Sequence, residues 1–447
     1  MKKSTLALAV ATGILTQHVS AAGFIEDSKA SISSRTLYFE SDQRDAGGID
    51  QRQTVTGLKF DFLSGFTQGT VGFGLDLQGV QGFTLGGGTS PHGPATTNTV
   101  SPLDTDGTPV GTWGRGGANA KIKYSKTQLT AGNALSPNFP ILVANDGRLV
   151  PTAFQGAILT SNEIDNVTLT AGELNRVIGR ASSNWSAIAA GGRKGSDSFR
   201  FVGADWKVTK DLTLQYYHSQ LEDYYRQNFF GLLHVFQIAP NQTFKTDLRY
   251  FNSKSDGKNG SDVNYQYKNG YNAGGLGKVD NDTWSAAFIY TLGGNVFTLG
   301  HQRVSDSGGM AYVNNANVVD GRGRNEGEGG ASIYLYTDLT INSFARAGEN
   351  TTFGMYSYDF AGLGVPGLKP SIYYASGRDV RGTGNATTGR YDEWERGVRL
   401  DYTLQSGPFK NLNFSLRRAN FRTDLPETIV KDQDQTRFYI NYTYALW

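Results

Sequence analysis

The stretch NLNFSLRRANFR, residues 411–422, decides the fold. Leu412, Phe414 and Leu416 take alternate places, and Asn413, Ser415 and Arg417 take the places between. A period of two puts these sets on opposite faces of a strand, one apolar and one wet. The wet face carries an arginine, and two more basic residues, Arg418 and Arg422, follow close behind. On a soluble protein that would be ordinary surface, so the rest of the chain must say what the strand belongs to.

Composition argues against a water-soluble core. Hydrophobic residues other than Gly make up 38% of the 447, against roughly 45–50% usual for globular chains, a figure that counts Gly. Aromatics reach 12%, with 25 Phe and 23 Tyr against 3 Met, and there are 57 Gly. A wall of thin, alternating, aromatic-rich strands fits this better than a Leu/Ile/Val interior. Lys2 and Lys3, the apolar run from Leu6 to Leu15 and the small residues Val19, Ser20 and Ala21 read as a secretory signal. The expected organisation is therefore a signal peptide at 1–21 and a single transmembrane domain at 22–447. The apolar run is too short for a membrane helix, and no later stretch approaches about 18 uninterrupted apolar residues. Without Lys2 and Lys3 the 42 basic residues become 40, against 40 acidic ones, a net charge of zero. Nothing there points to a nucleic-acid partner. With no Cys, disulfide and thiol chemistry are excluded.

Alternation recurs along the chain. TVGFGLDLQG sets Val71, Phe73, Leu75 and Leu77 on one face; GVRLDYTL does the same with Val398, Leu400, Tyr402 and Leu404. TRFYINYTYALW sets Phe438, Ile440, Tyr442, Tyr444 and Leu446 against Arg437, Tyr439 and Asn441. Each run is about ten residues, the length of a tilted strand crossing a bilayer. The connections alternate between tight ones, such as 64–69, 125–126, 165–166 and 293–295, and long polar ones at 79–119, 135–156, 175–197, 253–280, 305–351 and 377–394. Short periplasmic turns and long external loops are the pattern of an outer-membrane barrel. The segment ASIYLYTDL (331–339) looks like a strand by itself. Counting it would put the long 377–394 connection on the short-turn side, so it is assigned to the seventh loop. Eighteen antiparallel strands remain, with strands 3 and 4 at about 70–79 and 119–125, and both termini fall on the periplasmic side. A soluble β-sandwich also alternates, but does not separate short from long connections so consistently.

The arginine now has a definite side. An Arg on the lipid face of a barrel costs roughly 2–4 kcal/mol at the bilayer midplane, and little in a water-filled lumen. Leu412, Phe414 and Leu416 take the lipid face, so Arg417 faces the lumen. The same parity turns Arg399, Arg437 and Lys369 inward. These residues lie on the last four strands, and strand 1, which closes on strand 18, brings Arg35. Its parity is ambiguous, because Leu37 and Phe39 share its face. Cations of one sign on adjacent strands suit the guidance of anions by weak serial sites. Arg418 and Arg422, nearer the outer end, read as interfacial.

In order and spacing the chain resembles the OprD-type porins, the outer-membrane carboxylate channels of Pseudomonas-like bacteria. The stretches that carry it are GFIEDSKA (23–30), SRTLYFESDQRD (34–45), KIKYSKTQLTAGN (121–133), DGRLVPTAFQGAILTSNEIDNVTL (146–169), LEDYYRQ (221–227), INSFARAGE (341–349), LGVPGL (363–368) and SGPFKNLNFSLRRANFR. The resemblance implies an eighteen-stranded barrel with loop 3 folded inward as the constriction. Phe139, Pro140, Ile141 and Leu142, which make no sense in solvent, would then pack on the inner wall. Arg148 matches the family's constriction arginine, with Asp146 close by. The family's basic ladder carries over by position to Arg35, Lys369, Arg399, Arg417 and Arg437, with Arg44 near the mouth. Asp338 and Glu349 are candidate counter-charges in loop 7. Trp447, by contrast, is out of phase with the lipid-facing residues that precede it.

The expected function is passive, selective uptake of small carboxylate-bearing solutes, with aromatic or cyclic acids preferred. Basic amino acids are the alternative within the family, and would need an acidic strip to which Asp146, Asp247 and Asp401 could contribute. The expected partners are these solutes, outer-membrane lipid and the barrel-assembly machinery, in a monomer or trimer. A barrel hydrolase is disfavoured, because His218 and Ser219 are strand neighbours on opposite faces and cannot form a nucleophile–base pair. The long Gly/Thr/Pro-rich loop within 79–119 would suit an adhesin, but also a solvated lid. The segment DGRGRNEGEGG (320–330) is as basic as it is acidic, so no metal or cofactor is assigned.

Overall fold

In the computed structural model, residues 23–88, 100–104, 108–267, 272, 277–315, 318, 330–383 and 388–447 are described. The signal expected at 1–21, much of the external loop after the third strand and most of segment 320–330 lie outside them. Twenty strands follow in chain order. The first ten are β1 (Lys29–Gln43), β2 (Gln51–Leu63), β3 (Val71–Gly88), β4 (Thr112–Tyr124), β5 (Thr127–Leu135), β6 (Asn138–Phe139), β7 (Leu142–Val143), β8 (Ala153–Ser161), β9 (Val167–Ile178) and β10 (Phe199–Lys207). The rest are β11 (Leu212–Leu221), β12 (Tyr225–Ala239), β13 (Gln242–Ser255), β14 (Asp280–Leu292), β15 (Asn295–Val304), β16 (Asn350–Tyr358), β17 (Leu368–Arg381), β18 (Arg390–Thr403), β19 (Asn413–Thr423) and β20 (Gln433–Ala445). All but the β6–β7 hairpin join one 18-stranded antiparallel sheet. It closes where β1 pairs with β20, Leu37 opposite Tyr439 and Arg35 opposite Asn441. Closure leaves no free edge, which a strand structure in lipid requires.

The expected strand count holds, and 331–339 lies in a loop, as the alternation of connections required. The wall faces lipid with Leu58, Phe73, Phe230, Leu299 and Val398, all half-exposed or more. Tight turns close one end; Asn166 supplies a left-handed residue (φ 65°) to the β8–β9 turn and Gly293 (φ 57°) to the β14–β15 turn. β3 and β4 run much further outward than expected, over Val71–Gly88 and Thr112–Tyr124. Their outer halves, GVQGFTLGGG and TWGRGG, are glycine-rich enough to pass for loop, yet pair residue by residue from Val80–Arg115 to Phe83–Thr112. These ends carry glycine in place of a regular apolar alternation, so the sequence signal fades there.

The phase of Trp447 also has a cause. The last strand ends at Ala445. Leu446 N–H still donates to Ala30 O (2.8 Å), but Trp447 turns away, donates its indole N–H to Ser28 Oγ (2.9 Å) and packs edge-on against Phe62 (6.4 Å). The ring reaches the lipid-facing side by leaving the strand.

Candidate functional site

Loop 3 (136–152) and the described parts of loop 7 (305–315, 318 and 330–349) fold into the barrel and narrow it. Loop 3 enters as the β6–β7 hairpin. Phe139 stacks at 5.4 Å from Phe201 and 6.2 Å from Tyr217, and Ile141 and Leu142 are buried in the same cluster. Its second arm buries Leu149 and Val150 against Leu37, Phe39, Val55 and Val80. This resolves the parity of Arg35: Leu37 and Phe39 do face inward, and loop 3 is the cover that makes apolar residues tolerable there. Ser332 N–H donates to Val143 O (2.9 Å) and joins loop 7 to loop 3.

Loop 7 is held by a carboxylate of the wall. Glu395, fully buried on β18, accepts from the backbone N–H of Thr340 (3.0 Å), Ile341 (3.2 Å) and Asn342 (2.7 Å), and from Tyr373 Oη (2.6 Å). The neighbouring inward carboxylate, Glu393, takes the Asn342 side-chain amide. Gly397 makes room for Tyr373: a Cβ there would lie 2.3 Å from its ring. On the other side, the Thr340 carbonyl accepts from Arg437. Residues 340–342 are thus clamped from both flanks.

Between the two loops and the β19–β20 wall lies a cavity of about 500 Å³, whose lining includes Arg148, Arg180, Arg417, Arg437 and Asp338. Arg399, Arg417 and Arg437 stand directly opposite one another across β18, β19 and β20, a file that crosses the strands. Arg417 lies 4.9 Å over the Tyr439 ring. It makes no ion pair among the described residues, and its buried Nε–H has no hydrogen-bond partner. Arg437 is buried and donates to Gln435 Oε1 at 3.0 and 2.6 Å. Arg148 lies 4.6 Å over Phe39. Burial, then Arg180 and Arg437, pull its guanidinium well below the ordinary arginine range. Asp338 is the carboxylate of this cavity. Burial pushes its carboxyl up to about 6, against the pull of the Ile333 N–H bond that it accepts (3.1 Å) and of the nearby Arg180 and Arg437.

The other expected site residues are placed differently. Arg35 and Asp146 pair with each other at 2.7 Å; Arg35 also holds Arg148 O (2.7 Å) and Asn441 Oδ1 (2.9 Å), so it ties loop 3 to the wall. A second cavity of about 260 Å³ opens beside this pair. Lys369 pairs with Asp359 (2.8 Å) and Arg399 with Asp401 (2.5 Å). Arg44 is exposed at the rim, paired with Asp42 at 3.0 Å. Glu349 is fully buried and bonded to Arg346 N–H (3.0 Å) and Thr351 Oγ1 (3.2 Å), away from the cavity. On the opposite wall, Asp247 receives a two-pronged Arg249 at 2.8 and 2.9 Å, Tyr336 Oη at 2.8 Å and Lys245 at 3.3 Å. His218 bonds Asn228 (2.9 Å) while Ser219 is buried on the inner face. Sequence reasoning missed Arg180, Glu395 and Arg249. The first has no alternating context, but the other two sit at inward parity on their strands and could have been found by it.

A closed transmembrane barrel narrowed by inward loops around a charged water-filled gap is an outer-membrane porin, a channel and not an enzyme. The comparisons with known proteins agree: the model of the family described as "outer membrane porin, OprD family" matches residues 22–446. The chain belongs to the OprD family of outer-membrane porins. It is 30% identical to Porin D of Pseudomonas aeruginosa, over 100% of this chain and 99% of that one. Among solved structures it resembles OccK8 (OprE) of Pseudomonas aeruginosa, at 39% identity and a TM-score of 0.83, covering 95% of this chain and 100% of that one. It also resembles Pseudomonas aeruginosa OpdK with vanillate, at 32% identity and a TM-score of 0.79, with the same coverage.

Proposed function

We propose that this porin selects small solutes bearing a carboxylate, with aromatic or cyclic acids preferred, and that Arg417 is the group that first holds the carboxylate at the constriction. The observation that carries this is the buried Arg417 Nε–H without a partner, beside a cavity lined by four arginines and Asp338. A carboxylate entering there gains a charge-assisted hydrogen bond, worth about 1.5–3 kcal/mol, and the Tyr439 ring lies against the same guanidinium. The affinity stays modest, as permeation requires. The acidic residues that a basic amino acid would need, Asp146, Asp247 and Asp401, are each taken up by an arginine. Vanillate in the related OpdK structure is an aromatic carboxylate and supports the same preference. The test is solute flux into liposomes carrying the purified protein, with benzoate, arginine, a neutral sugar of similar size and a small cation. Benzoate should lead. Arginine in the lead would reverse the charge preference, and equal flux for all four would leave a general diffusion pore.

A further inference from the structure

The outer face of the wall is not uniform at its loop end. Most basic side chains that project outward there are neutralised by a neighbour: Arg52 by Glu40, Arg200 by Glu173, Arg226 by Asp256, Lys254 by Asp280, and both Arg418 and Arg422 by Asp434. On β15, β17 and β18 the pattern breaks. Arg303, Arg378 and Arg396 are exposed and, among the described residues, make no ion pair or hydrogen bond; Arg396 only lies over the Trp394 ring at 5.5 Å. Arg303 and Arg378 flank Asn350, each opposite it in the ladder, so their backbones stand two strand spacings, roughly 10 Å, apart. The neighbouring carboxylate Asp379 accepts from the Asn350 side-chain amide (3.2 Å). The row continues from Arg303 to Trp284 and Tyr250, aromatic residues of the kind that mark the level of lipid head groups.

Below Arg303 and Arg378 the same strands form a groove. Gly354, where an added Cβ would meet only Thr298 O at 3.8 Å, is its floor. Phe288, Phe297, Leu299, Ile372 and Tyr374 are among its walls, around about 580 Å³ of open volume. Gly354 lies four residues below Asn350 on β16, and Tyr374 four below Arg378 on β17, about 13 Å along the strand in each case. Arg396 is directly opposite Tyr374, at the groove's edge. Unpaired cations at head-group level above an apolar slot are complementary to one kind of bilayer molecule.

We propose that the outer face of β15–β18 is a binding site for a phosphate-bearing lipid of the outer leaflet. Its phosphate lies between Arg303 and Arg378, Arg396 adds a second cationic contact lower down, and one acyl chain occupies the groove over Gly354. The site is separate from the lumen and does not depend on which solute the channel passes.

The test uses the full barrel, purified and stripped of lipid, in two equilibrium titrations read by native mass spectrometry. The probes are a bisphosphorylated, multiply acylated glycolipid and the same glycolipid after removal of both phosphates. The phosphorylated form should bind more tightly, and an arginine-to-alanine triple variant at 303, 378 and 396 should lose about a hundredfold in its affinity, at about fivefold for each cation. Gly354→Leu, which fills open space, should weaken both lipids several-fold. Arg303→Lys with Arg378→Lys should keep much of the preference for phosphate. Solute flux should stay at its original value in every variant and so report an intact barrel. Equal binding of the two glycolipids, or an intact triple variant that binds the phosphorylated form as well as the parent does, would overturn the proposal. Inorganic phosphate competing at the same concentration as the lipid would overturn the role of the groove.

Discussion

Two walls of the same lumen handle an inward arginine in opposite ways. On β13, Arg249 is locked: Asp247 takes it with both oxygens, and Tyr334 and Tyr336 stack on it at 3.9 and 4.5 Å. On β19, Arg417 makes no ion pair among the described residues, has one ring beneath it and an unspent Nε–H, and the nearest strand carboxylate, Asp401, is already paired with Arg399. The first arginine builds the barrel by fixing loop 7 through Tyr334 O (3.0 Å); the second remains available to a solute. An inward cation is therefore not a guide by virtue of facing water. It becomes one where the neighbouring strands withhold a counter-charge, as β20 does by setting Arg437 and Tyr439 beside Arg417.

The sharpest break of that contrast is Arg417→Gln. It removes a charge-assisted contact of about 1.5–3 kcal/mol, so benzoate flux at low concentration should fall roughly tenfold or more, while a neutral sugar passes unchanged. Next in size is Glu395→Ala. It orphans three backbone N–H groups of loop 7, each costing about 1–3 kcal/mol if left buried, so residues 340–342 should detach. Single-channel recordings should then show larger, noisier conductance with less discrimination among solutes. Gly397→Ala, which displaces Tyr373 from Glu395, should give a weaker version of the same change.

Smaller still is the effect of pH on the cavity itself. Below its raised value Asp338 is neutral, and above it the carboxylate offsets one of the cavity's cations. Anion preference, read as the reversal potential in a salt gradient, should therefore rise as pH falls from 7 to 4, by about threefold. Asp338→Asn should hold the high value at all pH. Least affected should be the paired charges: replacing Arg399 and Asp401 together by Gln and Asn removes a pair with no net charge, and should change selectivity less than twofold.

Much of this was legible in the residues. Alternation and the short–long rhythm of connections give the barrel, and parity gives the side of Arg399, Arg417 and Arg437. Leu37 and Phe39 share the face of Arg35 and leave its side ambiguous, which the loop 3 cover over them resolves. What sequence could not give is which inward cations are neutralised. Arg35 meets Asp146 across more than a hundred residues of chain, and Arg399 meets Asp401 only because both point the same way from one strand. Parity gives Glu395 its inward side but not its role as an anchor, since its three backbone donors belong to a loop whose path depends on the whole lumen.

The most direct test of the central claim is benzoate flux through two variants in the same liposomes: Arg417→Gln, and the Arg399→Gln, Asp401→Asn double variant. The account predicts that the first loses about tenfold or more while the second stays within about twofold of the original. Equal losses in both would mean that the inward arginines act through their total number, and that the unpaired state of Arg417 has no special part in selection.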